Sequence, residues 1–171
     1  EKTLSFIGHR LKEGYGLSDS VADRILQHET PPTLVITADN GSSDEPRIAR
    51  LKEKQIQTLV TDHHEIPLEG IPKSAYAVVS PVIKGIDYPD PYIAGCMVAC
   101  LLMAQTRKRL IQKGHLPKTT PSVVAVFDFV ALGTVADCVS LSLSKNNRLV
   151  IESGLKQINR ASRPCWNAMR A

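Results

Sequence analysis

This sequence predicts an α/β fold, with a parallel β-sheet flanked by helices and a mainly helical C-terminal part. Three observations lead to it. Short β-branched apolar runs recur at residues 33–37 (TLVIT), 55–60 (QIQTLV) and 75–80 (AYAVVS). Helical or loop stretches separate them, and such an order builds parallel strands with right-handed crossovers. Beyond about residue 92 the β-rich runs give way to long helical patterns.

Taken in order, residues 4–8 (LSFIG) read as a short strand. Ser18 is placed to cap a helix running to about residue 28, and Pro31-Pro32 ends it. The continuous apolar character of residues 33–37 fits a strand buried in a parallel sheet. A helix follows from about residue 45 to 54, with Pro46 tolerated in its first turn. The runs at 55–60 and 75–80 supply two more strands, so the first part reads as a three-layer unit. Residues 93–113 form one long helix, apolar first and basic at its end (RKRLIQK). GHLPKTTP is a loop, residues 122–136 a helix, and a last helix spans about 147–158. The division is about 1–92 for the sheet portion and about 93–171 for the helical portion, together one partial domain over 1–171.

Composition sets outer limits. The 171 residues are 43% hydrophobic and 22% charged, ordinary for a globular chain. Lys+Arg of 21 against Asp+Glu of 17 leaves +4, which is compatible with a nucleic-acid partner without arguing for one. The most apolar stretch, residues 93–104, is too short for a membrane span of roughly 20 residues, so no membrane partner is expected. The four cysteines lack metal-finger spacing and read as reduced thiols of a cytoplasmic protein. The chain opens on Glu1 and enters at once on an apolar run, which suggests a fragment.

The chemistry concentrates where strands end. In an open parallel sheet, ligands bind beyond the carboxyl ends of the strands. Asp39 follows the first buried run, and Asp62-His63-His64 follows the second. Asp137 interrupts the apolar passage VALGTVADCVSL. An acid there is costly to bury unless paired or bound to a metal. Carboxylates with imidazoles suit Mn²⁺, Fe²⁺ or Zn²⁺, and with fewer histidines Mg²⁺. Each residue alone also reads blandly, Asp39 and Asp137 as caps or turn residues and the Asp-His-His run as a solvated turn.

VITADNG, VTDHH and DFVALGTVADCVSL, in this order and spacing, resemble the second to fourth motifs of the DHH phosphoesterase superfamily. Within it the resemblance is strongest to the RecJ-like single-strand-specific DNA exonucleases, supported by HRLKEGYGLS, IAGCMVACLL and NNRLVIESGLKQIN. The resemblance implies metal-dependent phosphodiester hydrolysis, running 5′ to 3′ on single-stranded DNA in recombination and repair, with Mn²⁺ or Mg²⁺ in a two-metal site. It casts Asp39, His63 and Asp137 as metal ligands and Asp62 as the acid that holds the histidine pair. His64 would face the scissile phosphate, and Arg10 would lie on the substrate path. The superfamily's first motif, an Asp-X-Asp-Gly, is not among these residues. The chain is therefore expected to be inactive alone, to need N- and C-terminal parts of the same protein, and to self-associate through an exposed sheet edge. Two alternatives share the motifs: a small-molecule phosphodiesterase acting on oligonucleotides or cyclic dinucleotides, and a non-catalytic partner-binding module.

Overall fold

The computed structural model describes residues 3–160 and 163–170. The chain divides into two compact units, residues 1–87 and 88–171.

The first unit holds three parallel strands, β1 (Leu34–Ala38), β2 (Gln57–Thr61) and β3 (Ala77–Val79), in the order β1-β2-β3. Their register pairs Leu34 with Gln57 and Leu59 with Ala77, so the ends carrying Ala38 and Thr61 finish side by side. Before the sheet come α1 (Arg10–Glu13) and α2 (Asp19–Leu26), and α3 (Glu45–Glu53) joins β1 to β2. Ser18 caps α2 as expected, its hydroxyl accepting from the Val21 N–H. The core is one cluster of Val21 and Ile25 from α2, Ile48 and Leu51 from α3, and Val60 from β2, with Val35 and Val78 packed against it. Strand side chains alternate between faces, and Val35, Val60 and Val78 share one.

Two expectations fail in this unit. Residues 4–8 form no strand, because the segment has no ladder partner. The Ile7 carbonyl instead accepts from Arg24 Nη1 at 3.1 Å, and Ile7 itself stands 83% exposed. The unit also has two layers rather than three. Both helices that cover the sheet pack on the Val60 face, which leaves Ile36 on the opposite face 57% exposed.

The second unit is helical. It contains α4 (Gly95–Gln112), a 3-10 turn at Val123–Val126, α5 (Phe127–Ala136), α6 (Lys145–Asn159) and α7 (Pro164–Arg170). Cys100, Val130 and Val150 form its core. A Cβ at Gly154 would run into Ala131 and the Phe127 carbonyl, so only glycine lets α6 approach α5 this closely. The approach to α4 is braced by Asp90, which accepts from Ser144 Oγ at 2.7 Å and Asn146 Nδ2 at 2.8 Å. No described helix is long and apolar enough to cross a membrane.

Candidate metal centre

The carboxyl end of β1 turns back sharply. Thr37 Oγ1 donates to the Asn40 carbonyl at 2.7 Å, and Thr61 Oγ1 donates to the Thr37 carbonyl at 2.6 Å. Asp39 is held at φ 65°, a left-handed backbone that few residues other than glycine, Asn and Asp adopt. Its N–H still reaches the Thr61 carbonyl at 2.9 Å. Gly41 follows at φ 112°, and a Cβ there would lie 2.9 Å from Thr37 Oγ1 and 3.0 Å from Val60. This turn swings the Asp39 carboxylate toward the end of β2. Sparsely populated backbone persists only where surrounding contacts determine it, and it clusters at functional sites.

Asp62 organises the other half. It is 1% exposed, and its carboxylate accepts four hydrogen bonds. Oδ2 takes the Ser42 N–H at 2.9 Å. Oδ1 takes the His63 N–H at 2.8 Å, the His64 N–H at 3.3 Å, and lies 2.7 Å from His64 Nδ1. Burial alone would raise the Asp62 pKa, but the hydrogen bonds from His64, Ser42 and His63 outweigh it and hold the carboxyl below its ordinary value. Asp62 therefore grips the ring of His64, whereas its bond to His63 runs through the backbone.

Asp39, His63 and His64 offer ligand atoms that all lie within 4.8 Å of one another. His63 Nε2 stands 3.1 Å from Asp39 Oδ1, and His63 is 13% exposed. That carboxylate oxygen is buried and accepts no hydrogen bond of good geometry. A carboxylate and two imidazoles at this spacing form a donor set that fits a divalent ion such as Mn²⁺ or Zn²⁺. One histidine has its second nitrogen fixed by a buried acid, the usual support for a metal-binding ring.

The remaining residues singled out from sequence fall as follows. Arg10 lies with its guanidinium 5.0 Å from the Tyr15 ring, and Tyr15 is edge-on to His64 with 6.4 Å between centroids. Asp137 belongs to the second unit. It ends α5, its N–H bonded to the Gly133 carbonyl at 3.0 Å, and Cys138 follows at φ 58°. Ser42 and Tyr15 were not singled out. A serine after Asn-Gly and a tyrosine between glycines look like ordinary turn residues, and only the folded chain shows what they touch.

The profile of the DHH family, N-terminal domain, matches residues 3–134. The single-stranded-DNA-specific exonuclease RecJ of Haemophilus influenzae is 40% identical over 153 residues, which cover 89% of this chain and 26% of that protein. RecJ of Escherichia coli is 34% identical over 155 residues, 89% of this chain and 26% of that protein. This chain thus spans about a quarter of the length of these relatives. Among solved structures, a manganese-bound exonuclease RecJ matches with a TM-score of 0.72 and 30% identity, over 92% of this chain and 36% of that one. RecJ from Thermus thermophilus in complex with Mn²⁺ matches with a TM-score of 0.62 and 26% identity, over 82% of this chain and 19% of that one.

Proposed function

Because this chain belongs to the DHH family, we propose that it carries part of the metal site of a phosphodiesterase that degrades single-stranded DNA from its 5′ end, in recombination and repair in the cytoplasm. The observation that carries this reading is the convergence of Asp39, His63 and His64 at the strand ends, with Asp62 buried behind them. The cofactor is Mn²⁺ or Mg²⁺, the former suggested by the manganese-bound relatives. Bound there, such ions supply an acidified water and neutralise charge on the phosphoryl oxygens.

The chain's own residues divide the work. Asp39 and His63 would hold the ion. Asp137, in the other unit, is given a ligand role by its motif alone. A carboxylate at a helix C-terminus sits against the helix dipole, a placement that a cation offsets. Asp62 keeps the His64 ring in one orientation through Nδ1, leaving Nε2 to meet a phosphoryl oxygen. Arg10, over Tyr15, is placed to meet a neighbouring phosphate. These residues would hold one ion, and two-metal hydrolysis needs a pair about 3.5–4 Å apart. On this reading the chain taken alone does not cleave DNA and works with further parts of the same protein.

Calorimetric titration with Mn²⁺ tests the site. We expect binding by the chain, and its loss in Asp39→Asn, whose side chain tolerates the same left-handed backbone. No Mn²⁺ binding by the unaltered chain would overturn the metal centre. Release of nucleotides from 5′-labelled single-stranded DNA by this chain, abolished in His63→Ala, would overturn the claim of inactivity.

A further inference from the structure

We infer that the end of α4 and the loop after it form a second nucleic-acid contact surface, one that grips the phosphate backbone without any part in the metal centre. Between Asp90 and Asp128 the sequence holds no acidic residue, yet it holds Arg107, Lys108, Arg109, Lys113 and Lys118. Those five positive charges exceed the net +4 of the entire chain. In other parts of the chain Arg24, Arg47, Arg50, Lys156 and Arg163 each hold a carboxylate. No ion pair of that kind forms on the five among the described residues.

The surface is shaped in advance. Arg107 spends its guanidinium on the backbone, Nε donating to the Pro121 carbonyl at 2.7 Å and Nη2 to the Thr120 carbonyl. The N–H groups of His115 and Leu116 both turn back to the Leu110 carbonyl. Thr120 closes a further turn on Pro117, through its N–H at 3.0 Å and its hydroxyl at 2.7 Å. The loop is thus folded against the last turns of α4, with Lys118 inside the closed turn. Arg109 and Lys113 stand four residues apart, neighbours on one helical face. Lys108, Arg109, Lys113 and Lys118 are all exposed.

A solvated helix end would need fewer cations. The negative end of the helix dipole favours a cation or two in the last turn, but it does not account for Lys118 in a pinned loop or for 37 consecutive residues without an acid. A cluster of exposed cations without carboxylate partners suits a chain of phosphates, whose binding is driven by counterion release. No Phe, Tyr or Trp lies between these cations in the sequence, so the contact is to backbone charge and carries no base preference.

Fluorescence anisotropy of labelled oligothymidylate, with EDTA present to keep the metal centre out of the measurement, tests the assignment over a series of salt concentrations. Lys108→Gln, Arg109→Gln, Lys113→Gln and Lys118→Gln combined should weaken binding and flatten the plot of log affinity against log salt by about 3, at roughly 0.7 for each phosphate no longer neutralised. The control neutralises the exposed Lys12, Lys54, Lys73 and Lys84, giving the same net charge, and should leave most of the slope in place. Equal losses in the two quadruple variants would reduce the effect to net charge and overturn the proposal. So would a slope that the first variant leaves unchanged, or tighter binding of polyglutamate than of the oligonucleotide.

Discussion

At the residue scale, Asp62 links the backbone turn to the histidines. Its Oδ2 faces the Ser42 N–H and its Oδ1 faces the His64 ring. Asp62→Asn sets an amide donor against one of these groups, at a local cost of about 1–3 kcal/mol. Asp62 Oδ1 also takes the N–H of the ligand His63 at 2.8 Å, so we expect the chain to remain folded by circular dichroism and its Mn²⁺ affinity to fall about 10- to 100-fold, the usual loss when an outer partner of a metal ligand is removed. Unchanged affinity by calorimetry would show that the grip on His64 is dispensable. Asp39 and the Asp62-His63-His64 run were legible in the sequence because they stand at the ends of β-branched runs, and Asp137 because it interrupts an apolar passage. Which imidazole Asp62 serves was not legible. His63 and His64 are equally near in the sequence, and only the strand-end geometry brings Nδ1 of the second to 2.7 Å. The left-handed backbone of Asp39 was hidden for a similar reason, since Asn-Gly announces a turn without fixing which residue takes the positive φ.

Individual elements differ in how their stability is supplied. The strands and the longer helices could be read from period and caps, with Ser18 and Pro46 in their expected roles. The segment at 4–8 was misread because an apolar run becomes a strand only when a neighbour offers a ladder. The short helix α7 went unread because its attachment is tertiary. Asp128, 1% exposed, accepts from Arg163 Nε at 2.5 Å and from Trp166 Nε1 at 2.8 Å. Burial opposes the Asp128 charge, but the bonds from Arg163, Trp166 and the Phe129 N–H prevail, so its pKa lies below the ordinary value. A lowered folded-state pKa gives stability that is present above the unfolded value and lost as pH falls through the folded one. Trp166 is the chain's one tryptophan. Its emission should therefore hold steady above about pH 5 and shift to the red on acidification below the ordinary carboxylate range of about 4. In Asp128→Ala the shifted emission should already be present at neutral pH. An emission maximum indifferent to both changes would detach α7 from Asp128.

For the whole molecule, the edge of the sheet bears on association. Among the described residues β1 has a ladder partner on one side only, and Leu34 and Ile36 stand 43% and 57% exposed. An open edge with apolar neighbours invites pairing with another chain. We expect concentration-dependent association in sedimentation velocity, suppressed by Ile36→Lys with the circular dichroism spectrum unchanged. A monomer at all concentrations would refute it. The class of fold was readable because parallel strands announce themselves as continuous apolar runs. The uncovered face was not, since a sequence records that a strand is apolar without recording what lies on each side. The close crossing at Gly154 has a consequence for any saturation library of this chain. Selected for soluble expression alone, position 154 should retain glycine and little else, because even a methyl group meets Ala131 and the Phe127 carbonyl. His63 should tolerate many replacements under that selection and almost none under selection for bound metal. The paired screens would tell architecture from chemistry.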